Sequence, residues 1–500
     1  MYIKSLTIEN FRSFVGVHTF EFRDSLNYLV GDNNGGKSSV FEAVSFLAEL
    51  FKQVKEEDVR TRGIKEPTRV EMVLSGDMTT VLDNEKFIKL QPYVFRDATN
   101  DQVLRVERST AQREVVQNGK KSQLSVKSIC FWNNEAGQFE NPTGIDALFK
   151  GLIDFEMIWA DTDPAEITDF GSTKTLGRLL DGAAKEFLTT QIWKDFSTAH
   201  AKAFSNDDNS LEAETVGLAE EIEALVQDQY GHAKARFGFT LPDAAAFMKM
   251  GDLLVDDGMG ETPVRGKGTG MRRAFALAII QLYAGKMASG GGAADALQKP
   301  LILLLDEPET WLHPNAQLKL VTALASLART QQVFLITHSP YLLRKFESSE
   351  HQLVVFKGMG DQREVEYSHR MGVLGRGEPT WGEINFYAFG ICSYEFHNEL
   401  YGAIQRHVDS TVAGERPADE KDLDVFFVSK KISKTKTWRR KMKQYPASLP
   451  VYVRNFIHHP ENALNDMPTD NELLLSTQHM LDVLEGLRDD EGNSSDDVAA

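Results

Sequence analysis

Hydrophobic residues along this chain fall into three patterns, and each predicts a different element. Solid apolar runs at Ser25–Val30 (SLNYLV), Leu301–Leu305 (LILLL) and Val333–Ile336 (VFLI) read as strands buried on both faces, as in a parallel sheet. Alternation at Arg69–Leu74 and Val103–Glu107 reads instead as an antiparallel layer. Helical spacing marks Ser38–Leu50, Ala274–Leu282, Ser393–Leu400 and Tyr401–Val408, and also Leu176, Leu179, Leu180 and Leu211–Val226. This last group breaks at Ser205–Ser210 and is too short for a sustained coiled coil, so it predicts a stubby two-helix arm. Ser289–Ala294 (SGGGAA) predicts a flexible surface loop.

These patterns divide the chain. The expected fold class is α/β, with residues 1–175 as the N-terminal lobe of a head and 238–370 as its C-terminal lobe. Residues 176–237 form the arm between them. Residues 371–488 form a separate module, mixed α/β or helical, and 489–500 an acidic tail expected to be disordered.

The chemistry sits at the ends of the solid runs. Gly31–Ser38 (GDNNGGKS) follows the first run and precedes a helix. This G-x-x-x-x-G-K-S spacing lets backbone N–H groups curl round phosphate oxygens, with Lys37 on the β/γ charge and the Ser38 hydroxyl on Mg2+. Gly31, Asn34, Gly36, Lys37, Ser38 and Ser39 are therefore candidate ATP ligands. The second run ends in Asp306-Glu307-Pro308-Glu309, which makes Asp306 the second candidate magnesium ligand and Glu307 the candidate base for an attacking water. His338, in Thr337-His338-Ser339-Pro340 after the third run, is the candidate sensor of the γ-phosphate. Glu307, His338 and Lys37 are the candidate catalytic set.

A second glycine-rich turn, Arg265–Arg273 (RGKGTGMRR), opens the helix at Ala274. Gly268, Thr269, Gly270 and Arg272 offer donors to another phosphate there. One nucleotide does not need two such surfaces from one chain. The pattern implies a dimer in which each chain's second turn closes on the other's γ-phosphate.

In the order of these motifs the chain resembles ABC-type P-loop ATPase heads of the RecF and SMC group. Ile3–Phe14 is similar to that group's first hairpin, and Glu309-Thr310-Trp311-Leu312-His313-Pro314 resembles the E-x-x-L-H-P after its catalytic Glu. The signature turn departs from the usual form, which carries a Ser. Gly268-Thr269-Gly270-Met271-Arg272 is closer to the G-x-G-x-Q/R-R of OLD-family ATPases, leaving Thr269 or a backbone N–H as alternatives for the contact in trans. The resemblance implies a homo-oligomer, a dimer of heads or larger.

Composition narrows the setting. A formal net charge of −18 argues against a general nucleic-acid coat, though not against local patches. Cys130 and Cys392 are the two cysteines, too few for a disulfide framework or a zinc hook. The chain enters a strand at once without a signal peptide, and no apolar stretch spans a membrane, so the expected location is cytoplasmic.

The C-terminal module carries three further features. Glu395, His397 and Glu399 alternate and so do not share one helix face, which predicts a polar helix surface rather than a metal site. Eight basic residues lie between Lys430 and Lys443, among them Lys434, Lys436, Arg439 and Arg440, with Trp438 available for stacking. They suit nucleic-acid phosphates or an acidic partner. Arg454-Asn455-Phe456-Ile457-His458-His459 has the R-N-x-x-x-H spacing of HEPN ribonucleases. Arg454 and His459 would be its reacting pair; the alternative is a structural knot at a helix end that Pro460 terminates. Arg454–Asn462 (RNFIHHPEN), with Glu383–Leu400, resembles standalone OLD-like ATPases of bacterial antiphage systems such as PARIS and Septu. Asp422-Leu423-Asp424 is the one tempting D-x-D, with too little chain around it for a Toprim nuclease. The resemblance then implies a separate nuclease or toxin as partner, with an ATP-gated RNA nuclease and a RecF-like repair ATPase as the alternatives.

Overall fold

The computed structural model describes all residues except 49–60, 62, 112, 118–119, 125–127, 172–173, 205–207, 230, 240–243, 259, 289–299, 311, 359–362, 369–373, 375–378, 412–416 and 497–500. The expected Ser289–Ala294 loop and residues 205–207, the first half of the arm's expected break, lie outside the described residues. The chain forms two compact units. One comprises Met1–Ala160, Pro300–Thr310 and Pro314–Ala500, and the other Asp161–Lys299 with Trp311–His313.

The first unit is built on two sheets. Six strands run in the order Asp154–Ile158, Leu301–Asp306, Gln332–Ile336, Leu26–Gly31, Gln352–Lys357 and Glu364–Tyr367. The first five are parallel and the last antiparallel. The solid apolar runs are its central strands: every residue of Leu301–Asp306 and of Leu26–Gly31 is buried. Covering both faces of a sheet demands such runs, and this is what made them legible.

The second sheet has seven strands, with Tyr2–Phe11 between Phe14–Glu21 and Arg69–Ser75, and Gln102–Ser109 beyond. Its charged face is laddered across strands: Arg69 Nε to Glu9 at 2.8 Å and Arg105 to Glu71 at 2.7 Å. The two sheets are clasped by buried Gln332, whose amide accepts from Ile3 N at 2.7 Å and donates to Ile3 O at 2.8 Å. Phe22 on Phe334 (4.8 Å between ring centres) and Phe20 on Phe356 (5.8 Å) fill the space between.

The C-terminal module belongs to the same unit. Helices Trp381–Phe389, Tyr394–Thr411, Glu420–Ser429, Leu449–His458 and Asp470–Asp496 surround a core that includes Phe396, Ile404, Phe427, Val451 and Met480. A hairpin of Lys436–Arg440 and Lys443–Ala447 joins the third helix to the fourth. The last of these helices runs from Asp470 to Asp496.

One expectation fails at His397. Its side chain is fully buried, with Nε2 at 2.8 Å from Ser476 Oγ of the last helix. Glu395, His397 and Glu399 indeed do not share a face, but the face that His397 occupies points into the core and not to water.

The second unit is mainly helical: Thr175–Phe187, Gln191–Phe204, Val216–Gln229 and Thr269–Ala288. Trp193, Phe196 and Phe247 pack as an aromatic knot, with Phe247 at 5.5 Å and 5.4 Å from the other two rings. The arm's helices stop at Gln229, and Gly231–Gly238 has no regular structure.

Candidate nucleotide-binding site

Strand Leu26–Gly31, the loop that follows it and helix Lys37–Leu47 form the expected strand–loop–helix. The loop's glycines are there because nothing else fits. A Cβ on Gly31, at φ 115°, would lie 2.1 Å from the carbonyl oxygen of Phe356. On Gly36, the left-handed N-cap at φ 102°, it would lie 2.8 Å from the Phe14 ring. Asn34 also has a positive φ, 61°. Lys37 is buried, and its ammonium donates to Gly31 O at 3.0 Å and Asp32 O at 2.7 Å. Burial pulls its pKa below the ordinary lysine value, while Glu307, Asp306 and Asp32 pull the other way.

The carboxylate strand meets this loop. Ser38 Oγ donates to Asp306 Oδ2 at 3.3 Å. Burial first, and the adjacent Glu307 next, push the Asp306 carboxyl up to about 6. Its other oxygen, Oδ1, is buried with no hydrogen-bond partner. A hydroxyl and a carboxylate with an unsatisfied buried oxygen are the hard donors that Mg2+ takes, so these residues fit that ion.

Glu307 sits at φ 46°, a conformation that costs a non-glycine residue about 1–3 kcal/mol and gathers at functional sites. His338 Nε2 lies 3.6 Å from Glu307 Oε1. Burial, helped by Lys37, holds His338 below the ordinary imidazole value, so at neutral pH the contact is not an ion pair. At that distance it is not a hydrogen bond either.

The geometry adds residues that the motifs did not single out. Buried Glu309 accepts from Thr337 Oγ1 at 2.7 Å and from His338 N at 2.8 Å, fixing the segment that carries the histidine. Its sequence signals are its places as the last residue of D-E-P-E and the first of E-x-x-L-H-P, and neither gives it this role. Arg363 donates to Ser13 O at 2.5 Å and to Asn34 O at 3.3 Å, and lies over Phe14 at 4.6 Å. It thereby ties the opening hairpin to the phosphate loop. A lone arginine in a polar stretch offers no signal. Ser39 Oγ is 3.1 Å from Ser13 Oγ.

Gly268, Thr269 and Gly270 lie at the start of helix Thr269–Ala288, in the second unit. Gly268 and Thr269 are exposed, and Arg272 reaches Asp163 at 3.7 Å.

In the C-terminal module the predicted residues separate. Lys434 pairs with Asp424 at 3.2 Å, and Lys436 pairs with Glu472. Trp438 is buried against Tyr452 at 5.7 Å, so it is not available for stacking as expected; alternation along the hairpin turns it inward. Arg439 and Arg440 are exposed. Arg454 reaches Glu420 at 3.5 Å, and buried Asn455 donates to the same carboxylate at 3.0 Å. His459 caps the end of their helix, 3.3 Å from Glu461. Asp422 closes a capping box with Asp419, and Asp424 accepts from Ser448 N and Oγ at 2.8 and 2.6 Å. Among the described residues no group of three or more His, Cys, Asp or Glu is arranged to hold a metal ion. No helix among them is long and apolar enough to cross a membrane.

Matches to family models point the same way. A family model described as AAA domain matches residues 5–154, and one described as AAA ATPase domain matches 174–343. The DNA replication and repair protein RecF of Francisella tularensis subsp. novicida (strain U112) is 42% identical over 48 residues. That match spans 10% of this chain and 14% of the relative, and RecF of strain SCHU S4 matches equally. Among solved structures, an SMC head bound to the C-winged helix domain of ScpA is 13% identical, with a TM-score of 0.42 over 73% of this chain and 98% of that one. The SMC head domain from Thermotoga maritima is also 13% identical, with a TM-score of 0.35 over the same shares. The phosphate loop, the parallel sheet and the two domain matches define the class: this chain carries an α/β P-loop head of the ATPase kind.

Proposed function

We propose that the chain is the ATP-hydrolysing subunit of an antiphage defence complex, in which heads close around ATP and hold or release a separate nuclease or toxin. In this reading residues 1–175 and 238–370 are the lobes of the head, 176–237 its arm, and 371–488 the module that meets the effector. The observation that carries it is a link between the switch histidine and that module. Trp381, first residue of the module's first helix, donates its indole N–H to Pro340 O at 3.3 Å, and Arg344 lies over its ring at 4.7 Å. Pro340 follows His338 by two residues, so the segment that would feel the γ-phosphate runs directly into the turn that holds the module.

In the head, backbone N–H groups of the loop bind the phosphates and Lys37 offsets their charge. Ser38 and Asp306 would hold Mg2+, which supplies further positive charge to the β- and γ-oxygens when bound. Glu307 orients a water and takes its proton; His338, neutral at pH 7, positions that water and reports on the phosphate. The exposed turn at Gly268–Arg272 suits closure on a second copy's nucleotide. The engagement of Arg454 and Asn455 with Glu420 favours a structural role for that motif over an RNA-cleaving one.

Glu307→Gln should bind ATP, stall hydrolysis and elute as a dimer or larger on size exclusion, while Lys37→Ala should neither bind ATP nor elute as that larger species. Cells carrying Lys37→Ala should lose protection in a phage plating assay. Wild-type turnover by Glu307→Gln would remove the assigned base, and unchanged protection with Lys37→Ala would remove the defence role.

A further inference from the structure

The hairpin Lys436–Ala447 has a base committed to the fold and a tip committed to nothing. Inward, Trp438 packs on Tyr452. From beneath, Asn465 Oδ1 accepts from Arg439 N at 2.7 Å, and the Asn462 and Asn465 amides each donate to Arg439 O at 2.9 Å. The stem is therefore held rigidly at its midpoint. Toward the tip, Arg439, Arg440, Lys441 and Lys443 are exposed, Arg439 on the face opposite Trp438 and Arg440 with its cross-strand partner Lys443 beyond Trp438 on the same face. Lys434 and Lys436, at the hairpin's base, have found carboxylates, but no ion pair joins these four among the described residues. On a chain of net charge −18, four cations left without a counter-charge on one rigid projection stand out.

The tip is unusual in two further ways. Arg440 pairs with Lys443, leaving Lys441 and Met442 as a two-residue turn. Lys441 lies at φ 53°, where glycine or asparagine is the low-cost choice, so a charge is kept there against a backbone penalty. Met442 is 99% exposed, an apolar side chain at the furthest point of a basic ribbon.

We infer that this hairpin is a sequence-independent binding element for duplex DNA, with the four cations on phosphates and Met442 entering a groove. Charge complementarity selects a polyanion. The shape then selects among polyanions: a two-stranded ribbon fits the groove of B-form DNA, and apolar tips serve as wedges between base steps. The deep, narrow major groove of duplex RNA would not admit it. This inference does not rest on the proposed function, because the hairpin is distinct from the nucleotide loop in sequence and in the fold.

The test is fluorescence anisotropy of the full chain with a labelled random-sequence DNA duplex. Four phosphate contacts predict a log–log salt slope near −3.6, at about −0.9 per contact, or roughly 150-fold weaker binding at 200 mM than at 50 mM salt. The quadruple alanine variant of Arg439, Arg440, Lys441 and Lys443 should lose binding while keeping its melting temperature. Lys441→Gly keeps the turn, so it cannot fail for want of folding; it should lower the slope by about 1. Met442→Ala should weaken binding with the slope unchanged. Absence of binding, equal binding by the quadruple variant, equal or tighter binding of duplex RNA, or displacement of DNA by polyglutamate at equal charge would each overturn the inference.

Discussion

His397 makes acid the weak point of the C-terminal module. Its imidazole is fully buried between helices Tyr394–Thr411 and Asp470–Asp496, and burial takes its pKa from the ordinary 6.5 down to about 3. An unfolded chain binds a proton there below pH 6.5, whereas the folded chain does not, so stability is lost as pH falls. At about 1.36 kcal/mol per pH unit, the loss reaches about 2 kcal/mol at pH 5 and about 5 kcal/mol near pH 3. The assay is urea unfolding at a series of pH values, followed by tryptophan fluorescence and by hydrogen exchange in residues 394–487. His397→Gln keeps a partner for Ser476 but cannot titrate. At pH 7.5 it should be less stable than the parent by about 1–2 kcal/mol for imperfect packing and hydrogen bonding. Its stability should then fall less steeply with acid, so that the two curves cross between pH 6 and 5. Parallel curves would show that the histidine is solvated or has a protonated partner, and the buried geometry would be wrong.

Two other substitutions separate stability from function. Asp306→Asn removes a buried carboxylate that is raised to about 6 and lies beside Glu307; it should make the nucleotide-free protein more heat-stable and abolish Mg-ATP-dependent stabilisation in the same thermal-shift experiment. Asn455→Ala breaks the bond to Glu420 and should cost about 1–2 kcal/mol in denaturant unfolding, with ATP turnover unchanged.

The legible parts of the sequence were those where one physical demand fixes the residue type. Leu301–Leu305 had to be solid because both faces of its strand are covered, and Gly31 and Gly36 had to be glycine because Phe356 and Phe14 crowd them. Arg363 was illegible because its value comes from two carbonyls in the loop and hairpin at the other end of the chain. His397 and Trp438 were misjudged for a shared reason. A polar or amphipathic residue declares its chemistry but not its side, and only the packing partner, Ser476 or Tyr452, decides that. The pairing of Lys434 and Lys436 with acids from other helices was hidden in the same way.

The wall that crowds Gly31 has a consequence for how the protein is made. Asp32 N donates to Phe356 O at 2.9 Å, and Gly358 N donates to the Asp32 carboxylate at 2.9 Å. The loop near the start of the chain is thus shaped by a strand synthesised more than 300 residues later. A ribosome-bound chain can fold its opening hairpin early, but the outer edge of the phosphate cradle forms only after Gly358 has left the exit tunnel. Growth from the N-terminus and long-range closure therefore delay the nucleotide site until most of the chain is present.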